Sequence, residues 1–366
     1  RGSGTYEAAW DARTKVFYYM YSDPAYHGVD SRACAWHTAN DWPVSNTPQK
    51  WYFHKGNTQH TGELELFAPS GTESQSYIYD PNNPCPTNGG NNLFDTHVDS
   101  SAKIGQGSTD QRGDGFYYNN GLPNIVTRND VITFTSDTLD SAYEFTGNVQ
   151  AKLYVQSDQP DTDFVAKLID VFPDGREMLI TDGLTRSCRR NGFDQTDWMS
   201  SGNTYEVDVD LWSKAWRFQP GHKIKLLITS SNYPRFLRNP NKQQEIIPTS
   251  LPGDYNVAVN TIMLSQSYPS YIELPITDGW IDCDEPNIWI TSDTPEPSQS
   301  TSYNVKWDSE YVDSVDIKLN GATVATGQPA SNTGTGYQVT GLTPNIDNTI
   351  QVVGNQAGDT PDTDSI

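Results

Sequence analysis

The stretch from Ser157 to Gly175, SDQPDTDFVAKLIDVFPDG, constrains the fold more than any other part of the chain. Asp158, Asp161 and Asp163 crowd three carboxylates into a short polar loop. Phe164 to Phe172 then reads as a buried strand, and Pro173-Asp174-Gly175 as a tight turn. Similar runs recur along the chain: Lys15–Tyr21, Lys50–His54, Glu63–Phe67, Asp130–Thr135, Tyr143–Ser157, Glu177–Thr181, Thr204–Leu211, Lys223–Ser230 and Ala258–Leu264. Turn signals separate them, at Pro69-Ser70-Gly71, Asn88-Gly89 and Pro220-Gly221. Short strands with punctuation this dense predict an all-β sandwich of jelly-roll type, and no amphipathic segment is long enough for a major helix.

A length of 366 residues exceeds one small core and predicts two domains. A boundary is expected near Ile281-Asp282-Cys283-Asp284-Glu285-Pro286, beyond which Thr, Ser, Asn and Gly replace large aliphatics. Residues 1–13 then form a linker or processed N-terminus, 14–282 a jelly-roll domain and 286–366 a smaller sandwich. In the latter, Asn320-Gly321 between Val315–Leu319 and Ala322–Val324 is a hairpin turn, because both residues tolerate positive φ. Trp307 and the closing Gly341-Leu342-Thr343-Pro344 resemble an immunoglobulin/fibronectin type III-like module.

The net charge of −22 repels nucleic acid and anionic membrane surfaces. It fits a solvated acidic surface or a cation-binding one. No apolar run is long enough to span a membrane. Cys34, Cys85, Cys188 and Cys283 lack zinc spacing; one or two disulfides are compatible with them, and the sequence does not choose a pairing. The start at Arg1, without methionine or signal pattern, is expected of a processed or excised piece.

Several ordered motifs resemble the C-terminal non-catalytic β-domain of the X-Pro dipeptidyl-peptidase, cocaine esterase and α-amino-acid ester hydrolase family. They are Trp36 with Trp42-Pro43; Tyr79-Asp80-Pro81 through Pro84-Cys85-Pro86-Thr87-Asn88-Gly89-Gly90; and Ser157 to Gly175. Phe218-Gln219-Pro220-Gly221-His222 and Ser230-Ser231-Asn232-Tyr233-Pro234-Arg235-Phe236-Leu237-Arg238-Asn239-Pro240-Asn241 follow, with Ser270 and Leu274-Pro275 closing the series. The resemblance implies a jelly-roll sandwich of galactose-binding-like type that packs on an α/β-hydrolase domain carrying Ser, Asp and His. No nucleophile elbow of the form G-x-S-x-G lies in this chain, so no self-contained active site is expected. The segment holding Gly89, Gly90, Leu93 and Phe94 would then face the hydrolase domain and border its pocket.

The residues allow further readings. Asp158, Asp161 and Asp163 can form a structural calcium site, or can accept backbone N–H bonds in Asx-turns ahead of the strand. Arg235 and Arg238, in a chain with few basic residues, are expected to tie the domain together through the acidic loop. His222, directly after Pro-Gly, reads as a hydrogen-bonded turn residue rather than a base. Two functions remain open: an accessory domain of a serine peptidase or esterase, or a free-standing extracellular or cell-surface protein. The second would self-assemble as a filament, surface or virion component, or bind carbohydrate through exposed Trp and Tyr.

Overall fold

The computed structural model describes residues 16–90, 107–113, 124–247 and 253–278, then 287–290, 302–310, 314–330, 336–340, 342, 349–355 and 362–365. The chain divides into two compact units, residues 1–280 and 281–366. Both are built of strands; the described residues contain no α-helix, only single 3₁₀ turns at Pro24–Tyr26 and Ser187–Arg189.

The larger unit opens with β1 (Val16–Met20), β2 (Ala35–Ala39), β3 (Thr47–Lys55), β4 (Thr61–Glu65), β5 (Thr72–Tyr79) and β6 (Ile132–Thr135). It continues with β7 (Tyr143–Ser157), β8 (Asp163–Val171), β9 (Glu177–Arg186), β10 (Tyr205–Phe218) and β11 (Lys223–Thr229). The last strands are β12 (Ala258–Ser265), β13 (Tyr268–Pro269) and β14 (Tyr271–Asp278). β1 and β2 form a separate antiparallel pair, while the other twelve join in one β-sandwich network.

The 15-residue β7 is its hub, pairing with β10, β12 and β14. From Asn148 onward its residues alternate in burial, and Val149, Ala151, Leu153 and Val155 turn into the core. Val207 and Val209 on β10 meet them, with Phe145 and Phe218 beyond. Fully burying side chains of this size contributes roughly 1.5–3 kcal/mol each.

Several strands run further than their sequence pattern predicts, and others carry no such pattern. β10 runs past Leu211 to Phe218, because a bulge between Asp210 and Ser213, with Trp212 at φ +66°, absorbs the break in alternation. β9 extends past Thr181 to Arg186, and the largely polar β5 carried no strand expectation. β14 was missed because Pro275 interrupts it. Pro275 lies opposite Pro48 of β3, and the register against β7 shifts between Glu273 and Ile276, where an N–H is lacking.

The smaller unit contains β15 (Asn287–Ile290), β16 (Ser302–Val305), β17 (Trp307–Glu310), β18 (Ser314–Leu319), β19 (Ala322–Gln328), β20 (Tyr337–Thr340), β21 (Ile350–Asn355) and β22 (Asp362–Ser365). β19, β18, β21 and β22 form one sheet, with β15–β17 and β16–β20 as antiparallel pairs. Trp307 is fully buried among Val305, Val315, Ile317, Val339 and Val352, and its indole N–H donates to the Pro329 carbonyl at 3.1 Å. Asn320 and Gly321 link β18 to β19 with φ of 49° and 83°, the left-handed pair of a tight hairpin.

Candidate functional site

The motif-bearing loops converge inside the larger unit as a chain of buried polar clusters. In the first, Asp161 is fully buried and saturated with donors. Arg186 Nε reaches its Oδ2 at 2.7 Å and Asn239 Nδ2 at 3.0 Å, while Ser187 Oγ and the Cys188 N–H both lie 3.1 Å from Oδ1. Asn239 also donates to Asp163 Oδ1 at 2.8 Å, so one amide bridges both carboxylates. Burial pushes the Asp163 carboxyl up, and the charge of Asp161 adds to this. The Asn239 bond and Arg186 pull it back, leaving it at about 7.

Asp158 is directed elsewhere and accepts the Val259 N–H at 2.8 Å. The three aspartates therefore do not converge as ligands, and no group of three His, Cys, Asp or Glu among the described residues could hold a metal ion. The calcium reading is corrected to a loop stapled by internal donors.

In the second cluster, Lys167 is fully buried and donates to Asn232 Oδ1 at 2.9 Å, while Asn232 Nδ2 donates to Asp182 Oδ2 at 2.8 Å. Arg235 pairs with the other oxygen of Asp182. Burial lowers the Lys167 ammonium, and Asp182 offsets part of that. The sequence paired Arg235 and Arg238 with the acidic loop. The structure gives that loop to Arg186, gives Arg235 to Asp182, and lays the Arg238 guanidinium over the Tyr233 ring at 4.8 Å.

His222 is buried in a third cluster. Its backbone N–H closes the turn onto the Gln219 carbonyl, and its Nδ1 lies 2.7 Å from Asp170 Oδ1. Trp216 Nε1 donates to Asp170 Oδ2 at 3.0 Å. Burial pushes Asp170 up, and the bonds from His222 and Trp216 work against that. The pair has the beginning of a hydrolase relay, yet His222 Nε2 faces Asp23 Oδ2 at 3.8 Å where a nucleophilic hydroxyl would be needed. The cluster is built to hold the turn.

Gly89 and Gly90 adopt φ of 71° and 85°. A Cβ on Gly89 would lie 2.1 Å from Thr109 Oγ1, and Gly90 exchanges two backbone bonds with Gly107. A Cβ on Gly90 would come within 3.1 Å of Arg235, so this turn borders the Asp182–Arg235 pair. Leu93 and Phe94 lie outside the described residues. Cys34, Cys85 and Cys188 are free thiols, and Cys283 lies outside the described residues.

Two surface features escaped the sequence reading. The first is the outer face of β1–β2, where Phe17 is 65% exposed, Tyr21 51% and Trp36 72%. Tyr19 joins Tyr21 and Trp36 through edge-to-face contacts at 4.9 and 5.5 Å. This hairpin is tied to β10 by Tyr21 N–H to Ala215 O and Arg217 N–H to Tyr21 O. Arg217 also bridges Asp30 at 2.7 Å and Glu144 at 3.1 Å. Burial raises Asp30, but bonds from the Arg32 N–H, Arg217 and Gln219 outweigh it and hold the carboxyl down at about 2. The second feature is an open trough of about 350 Å³ across β3, β14, β7 and β10. Alternation predicts which side chains point outward but not what lies beside them, which requires the strand order.

The polar motifs pin the loops of the sandwich, and among the described residues the buried histidine faces a carboxylate on its far side. Residues 9–273 match the X-Pro dipeptidyl-peptidase C-terminal non-catalytic domain, and the chain belongs to that family. It is 36% identical over 254 residues to the cocaine esterase of Rhodococcus sp. (strain MB1 Bresler), covering 68% of this chain and 40% of that enzyme. Among solved structures it resembles an aminopeptidase from a marine sediment Thaumarchaeota archaeon, with TM-score 0.56, 22% identity, and 68% of this chain and 40% of that chain covered. It also resembles an α-amino acid ester hydrolase, with TM-score 0.53, 25% identity, and 67% and 39% covered. The chain thus spans about 40% of the length of these relatives.

Proposed function

We propose that this chain is the accessory portion of a secreted serine peptidase or esterase, packing on an α/β-hydrolase domain and shaping its pocket. The observation that carries the reading is the aromatic face of β1–β2. Phe17, Tyr19, Tyr21 and Trp36 present a contiguous apolar surface at the beginning of the domain, held rigidly on β10, of the kind that marks a protein interface. The hydrolase domain would supply the Ser, Asp and His. The Gly89-Gly90 turn, backed by Asp182 and Arg235, would form part of the pocket's rim. The smaller unit, with its Trp307-centred core, would act as a fibronectin-like spacer, and its Thr- and Asn-rich sequence suits an extracellular or cell-surface setting.

The test is the full reading frame, expressed whole and assayed on X-Pro peptide and ester substrates beside the present chain. The reading predicts an encoded G-x-S-x-G domain, activity in the whole protein and none in this chain. A frame with no hydrolase domain would sink it. The same aromatic face also favours a second reading, self-association in a filament, surface or virion component. Mass photometry of the chain would then show oligomers that dissociate on Trp36→Ser.

A further inference from the structure

The trough on the outer face of β3, β14, β7 and β10 is created by identifiable breaks in the sheet. Pro48 and Pro275 oppose each other without N–H groups, β14 shifts register on β7, and β10 slips past β7 between Asp210 and Ser213. Gly147 (φ +141°) allows the close approach of Pro275 and Asn46, because a Cβ there would meet them at 3.2 and 3.6 Å. Trp42, 41% exposed, forms one wall and rests against the Tyr18 ring at 6.3 Å.

We propose that this trough binds a neutral saccharide chain. Its polar lining is three amides (Asn46, whose Nδ2 already donates to the Val44 carbonyl at 2.7 Å, Asn148 and Gln150), the Ser213 hydroxyl and the Glu273 carboxylate. Amides and hydroxyls both donate and accept, and a carboxylate accepts from two neighbouring hydroxyls, so the set matches a polyol. Held on adjacent strands, these groups need little ordering to bind. The electron-rich indole face of Trp42 suits the C–H face of a sugar ring, and the proline edges extend the apolar ledge.

Other ligand classes fit less well. Glu273 and a chain charge of −22 repel anions. An apolar ligand would cover the Asn148, Gln150, Ser213 and Glu273 side chains without supplying hydrogen-bond partners. A volume of about 350 Å³ falls in the range of small-ligand sites, and the open trough lets a longer chain continue past it. The site lies wholly within this chain, so the proposal stands or falls independently of any hydrolase domain.

The experiment is titration calorimetry of the 366-residue chain with cellohexaose, xylohexaose, mannohexaose, laminarihexaose and chitohexaose, paired with affinity electrophoresis on the matching polysaccharides. At least one hexasaccharide should bind with Kd on the order of 10 μM to 1 mM. Trp42→Ala, Gln150→Ala and Glu273→Gln should each weaken it by about tenfold or more. Phe193→Ala, at an exposed position outside the trough, should leave it unchanged. Gln150 is exposed on its strand, so its variant keeps the test valid if Trp42→Ala fails to fold, which near-UV circular dichroism reports. Absence of binding to all five at about 5 mM overturns the proposal. So does binding that survives Gln150→Ala and Glu273→Gln undiminished.

Discussion

Replacing Asp163 by asparagine should stabilise the larger unit at pH 8 and remove part of its pH dependence. Asp163 is fully buried, shares the Asn239 amide with Asp161, and has its carboxyl raised from 3.8 to about 7. That difference corresponds to about 4 kcal/mol against the ionised form. Because the folded value is the higher one, protonation favours folding. The contribution is fully present below about pH 4, declines as pH rises through about 7, and is absent above it. Wild-type stability should therefore fall between pH 5 and pH 8, by at most about 1.4 kcal/mol per pH unit from this group.

Asp170 and Glu65, also raised, act in the same direction, whereas Asp30, Asp110, Asp174 and Glu206, all lowered, lose stability only in acid. The informative quantity is consequently the difference between variant and wild type. The Asp163→Asn side chain would keep an oxygen for the Asn239 amide while removing the charge next to Asp161. We expect a gain of about 1–3 kcal/mol at pH 8, shrinking towards zero or below at pH 5, after discounting for relaxation around the ionised group. Hydrogen exchange of peptides from β8 and β9 under increasing urea reads this unit without interference from the smaller one. Parallel stability profiles for the two proteins from pH 5 to 8 would refute the reasoning.

Arg235→Ala should cost about 3–5 kcal/mol in denaturant melts, because it leaves buried Asp182 with Asn232 and Lys167 but without its guanidinium. Gly183→Ala should be at least as damaging, since a Cβ would lie 2.0 Å from the Asp210 carbonyl oxygen; loss of soluble expression or of the β9 exchange protection would report it. Trp307→Ala should destabilise the smaller unit by about 3–5 kcal/mol and leave exchange protection of β7 unchanged.

The strands that alternate cleanly or run wholly apolar were legible in the sequence, and β7 and the strand after the acidic loop are the best cases. β5 is harder to read because TESQSYIY is largely polar; its buried Gln75 donates instead to the Thr58 and Thr61 carbonyls. β14 was hidden by Pro275, whose missing donor is tolerated only where the register shifts. The clusters were legible by residue type but not by partner. An arginine in an acidic chain announces an ion pair, yet nothing local selects Asp182, 53 residues from Arg235, from 46 acidic residues. Asn239 likewise reaches Asp161 and Asp163 across 78 and 76 positions.

This distribution bears on where function can reside. The residues that carry the family resemblance are largely committed within the fold: Asp161, Asp163 and Asn239 pin the acidic loop, Lys167, Asp182, Asn232 and Arg235 brace the long loop after β11, and His222 holds its turn on Asp170. A side chain whose donors and acceptors are paired inside the protein has little left with which to recognise a ligand, and removing it costs stability first. The surfaces proposed for recognition are instead ones that remain exposed, the aromatic face of β1–β2 and the amide-lined trough beside Trp42. Variants in these buried clusters should therefore lose folding and binding together. Gln150→Ala and Trp36→Ser should lose recognition at their own surface while retaining the wild-type unfolding free energy within about 0.5 kcal/mol. A variant in one of the buried clusters that kept full stability yet lost binding would show that these clusters take a direct part in recognition.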